Sequence, residues 1–136
     1  MKPKYTISEL YSRPSETPTG DHIIDAVVAT IRQKPSIWAK DVAKSLGVSR
    51  RDLSASVKLL VGTSLDEVVK EWRMLQAMEQ IKCTDLDFLT IARQCGYSNT
   101  RHLSFAMEKR LHMTPYEYRY GAHRNDIRRY RRQHPA

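Results

Sequence analysis

The chain has 136 residues, 40% of them hydrophobic and 28% charged, with a formal net charge of +8. That is one globular domain, or two very small ones, able to bury roughly two-thirds of its unfolded surface without disulfides or metal. Its longest apolar run, Ala26-Val27-Val28-Ala29, excludes a membrane helix, and its two cysteines make no disulfide framework.

Residues 1–20 are polar and carry three of the six prolines, so a flexible N-terminal arm is expected. The absence of an apolar signal core there points to the cytoplasm. A helix is predicted over about 21–34, with Ile23, Ile24, Val27, Val28 and Ile31 on one face. A short helix over about 39–46 buries Val42 and Ala43 and stops at Gly47. The next opens at Ser49, with Asp52 three residues on as a capping pair, and turns Leu53, Val57 and Leu60 inward. A long helix follows from Ser64 to about residue 82, burying Leu65, Val68, Val69, Trp72, Leu75, Met78 and Ile81. Further helices are predicted over about 88–95, ending at Gly96, and over 99–111, capped by Ser98 with Leu103, Met107 and Leu111 inward. The last opens at Thr114-Pro115-Tyr116-Glu117 and fades near Gly121. No stretch alternates long enough for a strand. The expectation is an all-α protein of about seven helices. Its parts are an arm (1–20), a first subdomain (21–63), a linker helix (64–83), a second subdomain (84–121) and a basic tail (122–136).

The two subdomains share a repeat. Val42-Ala43-Lys44-Ser45-Leu46-Gly47-Val48-Ser49 matches Ile91-Ala92-Arg93-Gln94-Cys95-Gly96-Tyr97-Ser98 at an offset of 49. One residue is then inserted, and at an offset of 50 Leu53, Val57 and Leu60 match Leu103, Met107 and Arg110. Each unit is a short helix ending on glycine, an apolar residue, then a capped second helix: a helix-turn-helix, whose second helix can enter a DNA major groove. Charge supports a polyanionic partner. Residues 40–62 hold five bases against two acids, and residues 93–110 four against one. Residues 119–136 add six arginines and one aspartate.

Helical periodicity assigns the outward faces. On the first recognition helix Arg50, Arg51, Ser54 and Ala55 point away from the core as base-reading candidates. On the second they are Thr100, Arg101, His102, Ser104 and Phe105. Arginine in a first helical turn can bond guanine bidentately, and an apolar side chain meets only a thymine methyl. Lys40, Lys44, Lys58 and the tail residues Arg128 and Arg129 are phosphate candidates, with the amides opening both recognition helices.

The repeat resembles the DNA-binding domain of the AraC/XylS family of bacterial transcription regulators over about residues 21–119. The most specific stretch is Ile91-Ala92-Arg93-Gln94-Cys95-Gly96-Tyr97-Ser98, continuing through Leu111-His112-Met113-Thr114-Pro115-Tyr116-Glu117-Tyr118-Arg119. The resemblance implies two helix-turn-helix units joined by one long helix, with both recognition helices in adjacent major-groove segments of double-stranded DNA. It also implies a short stand-alone member without a ligand-sensing domain, monomeric and touching RNA polymerase. Two departures stand out. Ala55 and Phe105 occupy a place where members commonly carry arginine, and Val57 and Met107 replace a core phenylalanine with similar volume.

Alternative readings are a degenerate helix-turn-helix that grips a protein partner, or a non-specific DNA-bending protein. An enzyme is not expected: no phosphate loop, Gly-x-Ser-x-Gly or His-Glu-x-x-His is present. Scattered histidines and the spacing of Cys83 and Cys95 argue against a metal site or cofactor. Cys95 aligns with Leu46 and reads as a core residue; Trp72 reads as a core anchor, and Trp38 as stacking over the first subdomain.

Overall fold

A computed structural model describes residues 3–121. Among these residues the chain is all helix: α1 (Ile7–Ser12), α2 (His22–Gln33), α3 (Ala39–Ser45), α4 (Arg50–Val61), α5 (Leu65–Cys83), α6 (Phe88–Gln94), α7 (Thr100–Leu111) and α8 (Pro115–Tyr120). Side chains at the ends explain the boundaries. Asp21 accepts from the backbone N–H groups of Ile23 and Ile24, Ser49 from Asp52, Asp87 from Thr90 and Thr114 from Glu117. The chain divides after Leu75, inside α5, into two compact units.

In the first unit α2, α3 and α4 pack on one another. Ile24, Val27, Ile31, Val42, Ala43, Leu53 and Val57 meet Leu65, Val68, Val69 and Trp72 of α5 in one core. The N-terminal half of α5 is therefore core of this unit as well as a connection. Arg73 is buried, donates to the carbonyls of Ser36 and Ile37, and lies 4.5 Å from the Trp38 ring centroid. Trp38, read from sequence as stacking over this unit, meets it through that guanidinium and stays 59% exposed.

The N-terminal segment differs from the expected arm. Thr6 caps α1, the Tyr5 amide donates to the Leu60 carbonyl at 3.0 Å, and Tyr5 and Leu10 are buried in the core. Tyr11 sets its edge against Trp72 at 5.1 Å. Arg32 on α2 holds the following loop by donating to Ser15 Oγ and to the carbonyls of Leu10 and Arg13. The physical reason is spacing: Ile7, Leu10 and Tyr11 form an i, i+3, i+4 stripe, and the prolines at 3, 14 and 18 flank that turn rather than interrupt it.

In the second unit Ile81, Ile91, Ala92, Cys95, Leu103 and Met107 are fully buried. Cys95 fills the place of Leu46, and burial pushes its thiol up to about 11. Thr114 and Glu117 form a complete capping box at α8, and the Glu117 carboxylate is buried there. Arg119, counted above with the basic C-terminus, is spent on structure. It donates to the carbonyls of Ile81 and Leu86 and lies 4.6 Å from the Phe88 centroid.

Candidate nucleic-acid interface

The two repeated turns are built alike, bond for bond. In the first, Gly47 takes φ +69°, its amide donates to the Lys44 carbonyl, and the Val48 amide donates back to Ala43. In the second, Gly96 takes φ +89°, its amide donates to Arg93, and the Tyr97 amide donates to Ala92. This pair of reversed bonds is a Schellman motif, which needs a left-handed residue at the glycine position. Glycine adopts that conformation without the strain a Cβ brings. The same corner therefore launches α4 in one unit and α7 in the other.

The launch differs by the inserted residue. Ser49 caps α4 as expected, but α7 is capped by Asn99, not Ser98. Asn99 Oδ1 accepts from the His102 amide at 2.8 Å, and His102 Nδ1 accepts from the Ser98 amide at 3.2 Å. The His102 ring meets Tyr97 edge-on at 5.2 Å. His102, expected among the base readers, is thus engaged in fixing the start of α7. Because each cap already occupies the amide of the third residue, the first two amides of each recognition helix are the ones left for an anion.

The buried stripes of the recognition helices are Leu53, Val57 and Val61 on α4, and Leu103 and Met107 on α7. Leu60, expected inward, is half-buried, because Val61 takes the core position beside Val57. On the opposite faces Arg51, Ala55 and Lys58 are exposed on α4, and Arg101 and Phe105 on α7; Ser54, Thr100 and Ser104 are half-buried. Arg50 departs from this set: its Nη2 sits 2.9 and 3.0 Å from the two carboxylate oxygens of Asp66, tying the start of α4 to the first turn of α5. Arg51 and Arg101 make no such bond among the described residues. Two residues of these ridges were not singled out from sequence. Leu59, 76% exposed, follows Ala55 by one turn, and Lys109 follows Phe105. The signal for both was a simple continuation of the i, i+4 spacing.

Lys40 and Lys44 are exposed on α3 and Lys58 in the last turn of α4. Arg128 and Arg129 lie outside the described residues.

A family model described as a helix-turn-helix domain matches residues 42–121. The chain belongs to the AraC-type helix-turn-helix family. An AraC-like transcription regulator of Streptomyces lividans is 33% identical over 103 residues, covering 71% of this chain and 34% of that protein. The chain thus spans about a third of the length of this curated relative. The C-terminal domain of AraT, a response regulator from Geobacillus stearothermophilus, has the same AraC-type fold. Its TM-score is 0.68 at 27% identity, with 75% of this chain and 87% of that one covered. A transcriptional regulator of the AraC-type DNA-binding class from Chromobacterium violaceum aligns with a TM-score of 0.62 at 25% identity, covering 82% of this chain and 92% of that one. The family is generally non-enzymatic, and among the described residues no helix is long and apolar enough to cross a membrane.

Proposed function

We propose that this chain is a sequence-specific double-stranded-DNA-binding regulator of transcription, in which α4 and α7 each enter a major groove. The observation that carries this reading is the pair Arg51 and Arg101. They hold matching first-turn positions on two helices set by the same glycine corner, and both are exposed and unpaired among the described residues. First-turn arginines of recognition helices reach base edges and bond guanine O6 and N7 in one fork. Ser54, Ala55, Thr100, Ser104 and Phe105 share their faces and complete the base-reading set. Arg50 and His102 act beside them by holding the helix starts, and Lys40, Lys44 and Lys58 take phosphates. The AraC-type class named for the Chromobacterium protein supports DNA as the partner. The family resemblance adds RNA polymerase as a protein contact, and the nucleoid as the place of action.

Binding of Arg51→Ala and Arg101→Ala to a duplex selected from random sequence, and to its scrambled version, tests this reading. Each substitution is expected to weaken the selected duplex by roughly 5- to 150-fold, the value of one bidentate base contact. The scrambled duplex should change little. An equal loss on both duplexes refutes direct base reading.

A further inference from the structure

We infer that α7 reads a thymine through its C5-methyl group, with Phe105, one turn along α7 from Arg101, as the contacting side chain. The inference rests on the DNA reading above and adds the chemical identity of one base. Phe105 is 68% exposed, and no ring or cation partner faces it among the described residues. The fold does not use it: Leu103 and Met107, two residues to either side, are both fully buried and supply the core contact of this helix. Phe105 stands at i+4 from Arg101, so the two side chains lie on one ridge about one turn apart. That ridge belongs to the window 93–110, where bases outnumber acids four to one, so the charge around the ring suits a polyanion. A phenyl ring has no donor or acceptor for a base edge. The apolar group that a base pair presents in the major groove is the thymine methyl. On α4 the matching position is Ala55, whose single methyl group reaches less far, so this preference belongs to the second unit.

The test uses the full chain and a duplex selected from random sequence, with each thymine replaced in turn by deoxyuridine. Deleting one methyl contact should weaken wild-type binding about fourfold at one position. This is the transfer free energy of one such carbon, ~0.8 kcal/mol, at 1.4 kcal/mol per tenfold. The base bonded by Arg101, found as the guanine whose replacement Arg101→Ala no longer senses, should lie nearby. In Phe105→Ala the same uracil should cost nothing, while circular dichroism and thermal melting match wild type. The inference is overturned, with the DNA reading intact, if no uracil weakens a duplex that is otherwise bound selectively. It is likewise overturned if the uracil penalty persists in Phe105→Ala, or if that variant binds like wild type. Failure to select any duplex overturns both the inference and the reading beneath it.

Discussion

The Cys95 thiol has no exposed surface, like Ile91, Ala92 and Leu103 of the same unit, and desolvation lifts it from its ordinary value of 9.0 to about 11. Cys83, in the last turn of α5, is exposed. The thiolate is the reactive form, so the two should separate cleanly under a thiol reagent at pH 8. One equivalent is expected to react in the native protein and a second only in denaturant; two fast equivalents would show that the second unit opens readily. The same shift fixes a pH dependence. The folded state favours the protonated thiol, so its contribution to stability is full below about 9 and is lost as pH rises toward 11. Denaturant melts across pH 8–11 should show this loss in wild type and less of it in Cys95→Val. The core role of Cys95 was legible, because its repeat partner is Leu46. The occupations of Arg50 and His102 were not. Arg50 finds Asp66 sixteen residues away, and His102 reaches back to the Ser98 amide. Helical periodicity says which way a side chain leaves the helix, not what waits for it.

At the scale of elements, capping chemistry and glycine corners made the boundaries of α2 to α8 readable within a residue or so. The exception at α7 has a local cause. Ser98 and Asn99 are both good caps, and the residue inserted between the repeats moves the choice to Asn99. The N-terminal helix escaped for a different reason. Its six residues carry one short apolar stripe, and a helix that short gains its stability from what it packs against, here Trp72 and the core of the first unit. Leu10 is the center of that docking, 3% exposed. Leu10→Ala should destabilise the first unit by about 2–5 kcal/mol, read from urea melts followed by the fluorescence of its two tryptophans, Trp38 and Trp72. Because the Tyr5 amide bonds the Leu60 carbonyl near the end of α4, hydrogen exchange in the last turn of α4 should quicken in the same variant. If the midpoint does not move, the segment is an accessory and not part of the core.

For the molecule as a whole, the formal +8 overstates the charge left free of intramolecular bonds. Arg32, Arg73 and Arg119 hold carbonyl oxygens of their own units, and Arg50 holds Asp66. Each of these cations is fixed by an intramolecular duty. On the reading proposed above, the exposed cations of the helix-turn-helix elements that a duplex can meet include Lys40, Lys44, Arg51 and Lys58 in the first unit and Arg93, Arg101 and Lys109 in the second. Residues 122–136 carry five further arginines against one aspartate, Arg128 and Arg129 among them. Salt dependence separates the contributions, because each phosphate neutralised by a cation adds about 0.9 to the slope of log K against log salt on duplex DNA. If the tail arginines bind phosphates, a chain ending at Gly121 should bind with a slope flatter by roughly 0.9 for every arginine so engaged. Its ratio of selected to scrambled affinity should hold steady, since phosphate contacts carry no sequence information. Arg51→Ala should do the reverse, lowering that ratio and moving the slope little. A truncated chain with an unchanged slope would assign all the phosphate contacts to the two helix-turn-helix units. A truncated chain that loses selectivity would instead bring the tail into base reading, where its arginines could reach a minor groove.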